Sequence, residues 1–360
     1  MVRRIVSALS GLALIAAAAL PVAAQPAPGA PPAPRPIPGF GEAPKPTGPG
    51  APFQVVKVHG KSLEGNLEGD AVDRDVLVVL PPSYAKSPHR RYPVIYFLHG
   101  FGITADWFSA FMHVPETMLA VSKRGEEFII VLPDTDTKFG GSMYSNSPTT
   151  GDFESFIAKD LVTYIDGHYR TIARRAGRGL AGHSMGGYGT WKIAMDHPEA
   201  WSSIYAMSAC CMSARKETAD SAQKMSALTV DQATGGNFGV KAAVASMVAW
   251  SPDPKNAPFY ADFPSKDGAV DQSVLDRWAA NAPIVMVSAH VPALKSFTAV
   301  ASDGGDKDGL TKDAGVMHQE LDSFGVDNSF EVYDGNHVNH IAERFESKVL
   351  PFFAKHLMMK

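Results

Sequence analysis

From Phe53 onward, short apolar runs alternate along the chain with longer stretches in which apolar residues recur at helical spacing. The apolar runs are nearly continuous, and polar or glycine-containing residues follow each of them. Such runs are typical of strands in a sheet that is buried on both faces. The pattern predicts strands within residues 76–84, 93–100, 128–134, 201–209, 297–305 and 330–337.

Two stretches between these runs, 151–170 and 313–325, carry apolar residues at helical spacing, and the second closes at Gly325. Strands that alternate with helices predict an α/β fold, with a mostly parallel central sheet and helices on both of its faces. The ligand site of such a fold lies beyond the carboxyl ends of the strands.

Residues 212–283 interrupt the alternation of strands and helices, because helical pieces there are separated by glycine- and proline-containing segments. The stretch precedes the strand predicted at 297–305. Two interpretations stay open: a helical cap or insertion over the ligand site, or an elaborated connection between strands without a catalytic role.

Residues 1–24 have the parts of a secretory signal peptide: basic Arg3 and Arg4, an apolar run over 5–20, and small residues up to Ala24. We expect cleavage after Ala24 and a bacterial periplasmic or secreted protein, with an uncleaved membrane anchor as the alternative. Residues 25–52 are rich in Pro, Gly and Ala and predict a disordered, semi-extended tether. The folded domain is therefore expected over 53–360.

The chain has 360 residues, 45% of them hydrophobic, which is enough for a sizeable core. A formal net charge of −4 excludes the basic footprint of a nucleic-acid-binding protein, and no later stretch is apolar enough to predict a membrane span. The only cysteines, Cys210 and Cys211, are adjacent and cannot link distant parts of the fold. Two buried thiols are the favoured interpretation, with a strained vicinal disulfide as the alternative.

The pentapeptide "GHSMG" at 182–186 matches G-x-S-x-G, in which a sharp strand-to-helix turn presents a serine hydroxyl above the sheet. The flanking glycines are needed because side chains there would clash as the backbone doubles back. The helix-like stretch at 187–198 agrees with this context, so Ser184 is the candidate nucleophile. A second pattern, S-x-x-K at 213–216, lacks its companion motifs and is treated as a chance match.

A second glycine-bearing turn, "LHGFG" at 98–102, ends an earlier apolar strand. A turn in this place supplies one backbone donor of an oxyanion hole, and the residue after the nucleophile supplies the other. The N–H groups of Phe101 and Met185 are therefore the candidate donors to a tetrahedral oxyanion.

A serine nucleophile needs a histidine to accept its proton and a carboxylate to orient that histidine. The candidates follow Ser184 in the expected order and lie around the ends of the last two strands: Asp303, Asp306 and Asp308, then His337 and His340. We choose His337 as the base, because it lies in a tight turn whereas His340 belongs to the following helix. Calcium binding by the acidic loop and zinc binding by the histidine pair are the alternatives.

Several segments resemble the esterase D family of α/β-hydrolases, which includes S-formylglutathione hydrolases, feruloyl and acetyl-xylan esterases and the antigen 85 mycolyltransferases. The likeness runs from about Arg74 to the C-terminus and is weakest over 212–283. It is carried by "VVLPPSY", "RYPVIYFLHGFG", "RGLAGHSMGGYGTWKIAMDHPEAWSSIYAMS" and "DGNHVNHIAERF". The resemblance implies the α/β-hydrolase fold.

Carried over residue by residue, the resemblance implies a triad of Ser184, Asp308 in G-x-x-D and His337 in G-x-H, with Asp306 as the fallback acid. It implies two-step ester hydrolysis through an acyl-enzyme, without a metal or an organic cofactor. The family often has a tryptophan two residues after its histidine, whereas this chain has Asn339.

Aromatic residues near the predicted mouth are either candidates for an acyl or aryl pocket or part of the core: Phe101, Trp107, Phe108 and Tyr144. Of these, Trp107 and Tyr144 are the candidate substrate-binding residues. The expected partner is a small-molecule or carbohydrate-linked ester. Two other functions stay open: acyl transfer to an alcohol instead of water, and a catalytically retired hydrolase fold that binds glycans or a partner.

Overall fold

The computed structural model describes residues 36, 37 and 40–360. The predicted signal peptide and the first part of the predicted tether lie outside the described residues. Residues 42–52 contain no helix or strand and lead directly into the first strand at Phe53.

The described residues contain twelve strands, and eight of them form one sheet. In chain order the strands are β1 (Phe53–His59), β2 (Asp73–Val79), β3 (Val94–Leu98), β4 (Ile129–Pro133), β5 (Asn146–Ser147), β6 (Gly151–Asp152), β7 (Arg178–His183), β8 (Ser203–Met207), β9 (Ser265–Lys266), β10 (Ala269–Val270), β11 (Ala299–Gly305) and β12 (Ser329–Tyr333).

The large sheet has the order β1-β2-β4-β3-β7-β8-β11-β12. Neighbouring strands from β4 to β12 are parallel, whereas β2 runs antiparallel to both β1 and β4. The carboxyl ends of the parallel strands therefore share one edge, and the loops that follow them meet there.

Helices connect the strands, and two π-helical segments, Phe156–Leu161 and Phe345–Val349, join neighbouring α-helices into longer ones. No helix in the described part of the chain is long and apolar enough to cross a membrane. The α-helices are α1 (Ala105–Phe111), α2 (Val114–Ser122), α3 (Phe153–Ser155), α4 (Val162–His168), α5 (Met185–Asp196), α6 (Ala219–Ser226), α7 (Val230–Thr234), α8 (Phe238–Trp250), α9 (Gln272–Ala280), α10 (Pro283–Lys295), α11 (Thr311–Ser323), α12 (Ile341–Arg344) and α13 (Leu350–His356).

Two apolar layers cover the sheet, one on each face. Tyr96 and Leu98 of β3 belong to the layer that contains α5, α10 and α11, whereas Ile95 and Phe97 belong to the layer of α1, α2 and α13. Successive side chains of a strand point to opposite faces, so a strand covered on both faces is apolar at every position.

The six strands predicted from the apolar runs are confirmed as β2, β3, β4, β8, β11 and β12, and the mostly parallel sheet is confirmed with them. β2 ends at Val79, short of the predicted 84, because Pro81 and Pro82 have no N–H to donate to a neighbouring strand. The sequence did not predict β1, an edge strand in which buried and exposed positions are mixed. The predicted helices at 151–170 and 313–325 correspond to α3–α4 and to α11.

Residues 212–283 form α6–α9 and the β9–β10 pair between β8 and β11. Their apolar residues Val244, Met247 and Trp250 of α8 and Trp278 of α9 join the cluster that contains α5. The stretch therefore shares the core of the sheet rather than packing as a separate body.

Candidate active site

Ser184 lies at the turn between β7 and α5, with φ of 58° and ψ of −116°. A positive φ is strained for a residue with a side chain, so the surrounding contacts must hold it. The Ser184 N–H donates to Met207 O at 3.0 Å, and the Cys210 N–H donates to Ser184 O at 3.1 Å. These bonds fix the serine at the carboxyl end of the sheet.

Close backbone approaches require both glycines of the serine motif. A Cβ on Gly182 would lie 2.2 Å from the carbonyl oxygen of Gly186, and a Cβ on Gly186 would lie 2.1 Å from the carbonyl oxygen of Leu98. Backbone atoms cannot move aside as the end of a flexible side chain can. The sharp turn therefore needs glycine on both sides of the serine.

Ser184, His337 and Asp308 form one chain of hydrogen bonds. His337 Nε2 lies 3.0 Å from Ser184 Oγ, and His337 Nδ1 lies 2.8 Å from Asp308 Oδ2. An ionised carboxylate only accepts, so Nδ1 carries the proton and the lone pair of Nε2 faces the serine hydroxyl. The Asp308 side chain is 4% exposed and that of His337 is 33% exposed, so the carboxylate is shielded while the imidazole borders solvent.

Asp308 and Asp306 occupy the same loop but have different contacts. Asp308 Oδ1 accepts from the Leu310 N–H at 3.0 Å, which holds its other oxygen toward the imidazole. Asp306 Oδ1 accepts a hydrogen bond from the Gly335 N–H at 2.9 Å and so stabilises the turn that carries His337. Asp308 is thus the carboxylate that meets the histidine, and Asp306 supports the loop behind it.

The remaining sequence candidates, Asp303 and His340, contact other residues. Asp303 Oδ2 accepts from Arg344 Nε at 2.7 Å and from the Tyr205 hydroxyl at 2.9 Å. The exposed His340 has its Nδ1 3.0 Å from Glu343 Oε2. Neither side chain bonds to the serine.

The loop after β3 passes directly beside the serine, since a Cβ on Gly100 would lie 3.4 Å from Ser184 Cβ. Within residues 40–360, no protein oxygen accepts a hydrogen bond from the N–H of Phe101 or of Met185. Met185 lies in the first turn of α5, where backbone donors have no partner inside the helix. Both predicted donors are therefore open beside Ser184.

His99 organises this loop, and the sequence analysis did not single it out. Its Nε2 accepts from the Thr135 N–H at 2.9 Å, so its Nδ1–H donates to Gly100 O at 2.8 Å. Burial lowers the pKa of His99 and so favours this neutral ring. In a trans peptide the N–H points opposite to the carbonyl, so holding Gly100 O sets the direction of the Phe101 N–H. The available signal was the histidine before the glycine in "LHGFG".

His183, which directly precedes the serine, was also missed. Its Nε2–H donates to the backbone carbonyl of His337 at 2.8 Å, and the two rings lie 4.7 Å apart between centroids. Burial, with His337 beside it, lowers the pKa of His183 to about 3. This ring is therefore neutral near pH 7 and does not place a positive charge beside His337.

Of the two predicted substrate-binding residues, Tyr144 and Trp107, Tyr144 has no exposed surface. Tyr144 is fully buried, and its hydroxyl donates to His99 O at 3.0 Å, so it supports the β3 loop from within. A side chain without exposed surface cannot form a pocket wall, which corrects the expectation for Tyr144. Trp107 is 7% exposed and stacks on Phe111 with centroids 5.2 Å apart in the layer of α1 and α2. A substrate contact for Trp107 stays a prediction.

Exposed aromatic surface next to Phe101 comes instead from Phe238, at the start of α8. It is 60% exposed, and its ring meets that of Phe101 edge to face with centroids 5.3 Å apart. The Phe101 ring also packs closely over Gly141, where a Cβ would lie 2.7 Å from it. The stretch after β8 thus brings an aromatic side chain next to the residue whose amide lies beside Ser184.

Calcium binding by the acidic loop and zinc binding by the histidine pair were the alternatives for the loops after β11 and β12. In the part of the chain that the structure describes, no group of three or more His, Cys, Asp or Glu side chains could hold a metal ion.

The family model described as "Putative esterase" matches residues 71–342, more than half of the chain. An esterase of Mycobacterium tuberculosis H37Rv is 38% identical over 125 residues, which cover 33% of this chain and 25% of that protein. An endo-1,4-beta-xylanase/feruloyl esterase of Xylanibacter ruminicola is 32% identical over 130 residues, 34% of this chain and 18% of that protein. The chain thus spans a quarter or less of the length of these relatives.

Three solved structures share the architecture. A ferulic acid esterase has a TM-score of 0.60 at 24% identity and covers 86% of this chain and 100% of its own. S-formylglutathione hydrolase of Agrobacterium tumefaciens has a TM-score of 0.57 at 17% identity, covering 87% and 98%. MPT51 of Mycobacterium tuberculosis has a TM-score of 0.55 at 16% identity, covering 86% and 100%. These likenesses confirm the α/β-hydrolase fold.

Proposed function

The chain belongs to the "Putative esterase" family, and on this premise we propose that the protein is a serine hydrolase of carboxylic esters. The observation that carries the proposal is the hydrogen-bonded chain from Asp308 through His337 to Ser184, at 2.8 Å and 3.0 Å. It joins a nucleophile, a base and an orienting carboxylate, which are the groups that acyl transfer through a serine needs.

In the first step, Ser184 Oγ attacks the ester carbonyl carbon while His337 Nε2 accepts the hydroxyl proton. Asp308 keeps the Nδ1 proton in place and stabilises the imidazolium that forms. The negative charge that develops on the carbonyl oxygen is met by the N–H groups of Phe101 and Met185. Preorganised donors of this kind each contribute about 10²–10³-fold to the rate.

The tetrahedral intermediate then collapses, and the imidazolium of His337 gives its proton to the leaving alcohol. An acyl group remains on Ser184 Oγ. In the second step water attacks this acyl-enzyme, with His337 again as the base, and the carboxylic acid leaves. The partly exposed edge of His337 gives water a route to the imidazole.

For the substrate we propose esters with an apolar or aromatic acyl group. One support is the edge-to-face ring pair of Phe238 and Phe101, the residue that follows Gly100 beside the serine. The other is the set of relatives and structural neighbours that are named feruloyl or ferulic acid esterases. The pair offers ring surface on which a planar acyl group packs.

The test is hydrolysis of an acetyl, a butyryl and a feruloyl ester and of a thioester, by the wild type and by Ser184→Ala. We expect the variant to lose roughly 10³-fold or more in kcat/KM. Ser213→Ala is the matched control, because Ser213 is exposed and lies in the chance S-x-x-K pattern. Retained activity in Ser184→Ala, or loss in Ser213→Ala alone, would sink the proposal.

Labelling with a fluorophosphonate separates this proposal from a fold that only binds ligands. We expect one adduct, on Ser184, in the wild type and none in Ser184→Ala. Acyl transfer is distinguished by adding a sugar acceptor during ester turnover. A hydrolase forms mainly the free acid, whereas a transferase forms mainly the new ester.

We also propose that the protein is exported, because residues 1–24 have the features of a signal peptide. The intact mass of the protein recovered from a bacterial periplasm or culture medium is expected to correspond to a chain that begins at Gln25. A mass that retains residues 1–24 would instead favour the uncleaved anchor.

A further inference from the structure

The loop after β8, residues 208–212, lies against the nucleophile turn and has a strained backbone. Ser208 has φ of 43° and Cys211 has φ of 60°, values that residues with side chains rarely adopt. The loop is tied at both ends, since the Ser208 N–H donates to Asp303 O at 2.8 Å and the Ile284 N–H donates to Met212 O at 3.1 Å. Strain that the structure holds in this way is characteristic of functional segments.

Cys210 and Cys211 are the partly exposed residues of this loop, whereas Ser208, Ala209 and Met212 are buried. The two Sγ atoms lie 2.7 Å apart. The bond length in a disulfide is about 2.05 Å, so these thiols need to approach by less than about 1 Å to join. The two residues are thus partly exposed, and their sulfur atoms already lie close together.

The same loop contacts the nucleophile and the first turn of the helix that follows it. The Cys210 N–H donates to Ser184 O at 3.1 Å. In the first turn of α5, a Cβ on Gly187 would lie 2.9 Å from the Ala209 Cα. A change in the backbone torsions of Cys210 therefore acts on a hydrogen bond that holds the strained serine.

We propose that Cys210 and Cys211 form a reversible dithiol–disulfide site whose state is transmitted to Ser184. The oxidant is a small-molecule disulfide such as oxidised glutathione. The Cys211 thiolate attacks one sulfur of the reagent, forms a mixed disulfide and releases one thiol. Cys210 then loses its proton, attacks Cys211 Sγ and releases the second thiol. Two cysteine thiols and one external disulfide thus become one protein disulfide and two thiols.

The order of attack follows from the surroundings of Cys210. Contact with the Cys211 sulfur raises the pKa of the Cys210 thiol above its usual range. The thiolate is the attacking species, so the first attack falls to Cys211 and the resolving attack to Cys210.

Closing the bond creates a ring within two neighbouring residues. A ring between neighbours removes little freedom from the unfolded chain, so little global stabilisation is expected. The effect is local: the ring restricts the torsions of Cys210 and keeps its N–H on the Ser184 carbonyl. The disulfide form is therefore expected to hold the nucleophile turn more firmly than the dithiol form.

The first experiment needs no variant. The reduced full-length protein is incubated with oxidised glutathione, and free thiols are then alkylated with iodoacetamide. After proteolytic digestion, mass spectrometry gives the mass of the peptide that contains both cysteines. We expect the peptide to lose both thiol hydrogens and to carry neither alkyl group nor glutathione, and dithiothreitol to reverse the change. Recovery of two alkylated cysteines, or of a stable glutathione adduct in the wild type, would overturn the proposal.

The second experiment tests transmission to Ser184 and rests on the proposed function. Fluorophosphonate labelling is followed in both redox states of the wild type and of Cys211→Ser, which keeps the side chain's size but cannot close the ring. We expect the disulfide form of the wild type to label at least about threefold faster and the variant to label equally in both conditions. Equal rates in the wild type refute the transmission. If Ser184 is labelled in neither redox state, the proposed esterase function is refuted instead. The mass of the cysteine peptide still shows whether the disulfide forms.

Discussion

The Nε2–H of His183 donates a hydrogen bond to the backbone carbonyl oxygen of His337, with 2.8 Å between nitrogen and oxygen. His183 precedes Ser184 directly, so this bond ties the strand that carries the nucleophile to the loop that carries the imidazole. The loop lies far along the chain and ends in an exposed turn, so its position depends on such contacts. A neutral His183 ring, with its pKa lowered to about 3, keeps the donor without adding charge.

His183→Phe keeps a ring but removes the donor. We expect kcat for ester hydrolysis to fall by about 10–100-fold, as for other supporting contacts of reactive groups, while KM changes less. His183→Gln, which restores an N–H donor, is expected to recover part of kcat. His340→Phe is the control, because His340 is exposed and pairs with Glu343. Equal kcat values for His183→Phe and the wild type would contradict this role.

Asp308→Asn and Asp306→Asn form a matched pair in one loop. Asp308 accepts the Nδ1 proton of His337, whereas Asp306 accepts from the Gly335 N–H. We expect kcat to fall by about 10³–10⁴-fold in Asp308→Asn, because the amide no longer holds the required tautomer. Asp306→Asn is expected to lose less than about tenfold, since its amide oxygen still accepts a hydrogen bond. The reverse order of losses would assign the acid to Asp306.

His99→Leu removes the Nδ1–H that holds Gly100 O, and so frees the peptide that carries the Phe101 N–H. We expect kcat to fall by about 10–100-fold, less than the loss of a whole oxyanion donor. His99→Asn places an N–H donor near the position of Nδ1 and is expected to restore part of kcat. Thermal unfolding of both variants separates this effect from loss of fold. If the two variants are equally impaired and equally stable, His99 does not act through its donor.

Phe238→Ala removes the exposed ring that meets Phe101 at 5.3 Å. We expect KM for a feruloyl ester to rise by about 2–10-fold, which corresponds to one aromatic contact, and KM for an acetyl ester to stay unchanged. The control is Val316→Ala, which truncates a different exposed apolar residue, on α11. An equal rise in KM for both esters would show that Phe238 supports the fold rather than an aromatic acyl group.

The titration of the Glu68 carboxyl group is expected to make the free energy of unfolding depend on pH. Burial, and then the neighbouring Asp70, raises the pKa of Glu68 from 4.5 to about 10. Between these values the folded chain keeps a proton that the unfolded chain releases, so the free energy of unfolding decreases as pH rises. Glu68→Gln removes this titration and is expected to gain at least about 1 kcal/mol over the wild type between pH 5 and pH 8.

Urea unfolding at the two pH values measures this gain. Glu42→Gln is the matched control, because Glu42 is exposed. A Glu68→Gln variant that differs from the wild type by the same amount at both pH values would show that Glu68 titrates normally in the folded chain.

The sequence by itself determined the local elements of this protein. Continuous apolar runs predicted the parallel strands because strands covered on both faces leave no polar position. The two glycines around Ser184 predicted the sharp turn because only glycine fits where a Cβ would meet backbone at 2.2 Å or less. These features depend on contacts between residues close in the chain, or on the general requirement to bury apolar surface.

Only the tertiary structure decided which side chains meet. Three candidate acids lie within six residues of sequence: Asp303, Asp306 and Asp308. A change of one position in a loop turns a side chain toward a different partner. The direct contact of Asp308 with His337 could therefore not be predicted from spacing. Phe238 reaches Phe101, and His183 reaches His337, across long separations in sequence. Tyr144 looked like a wall residue but is buried beneath the β3 loop. Long-range packing sets each of these contacts, and no local pattern in the chain records it.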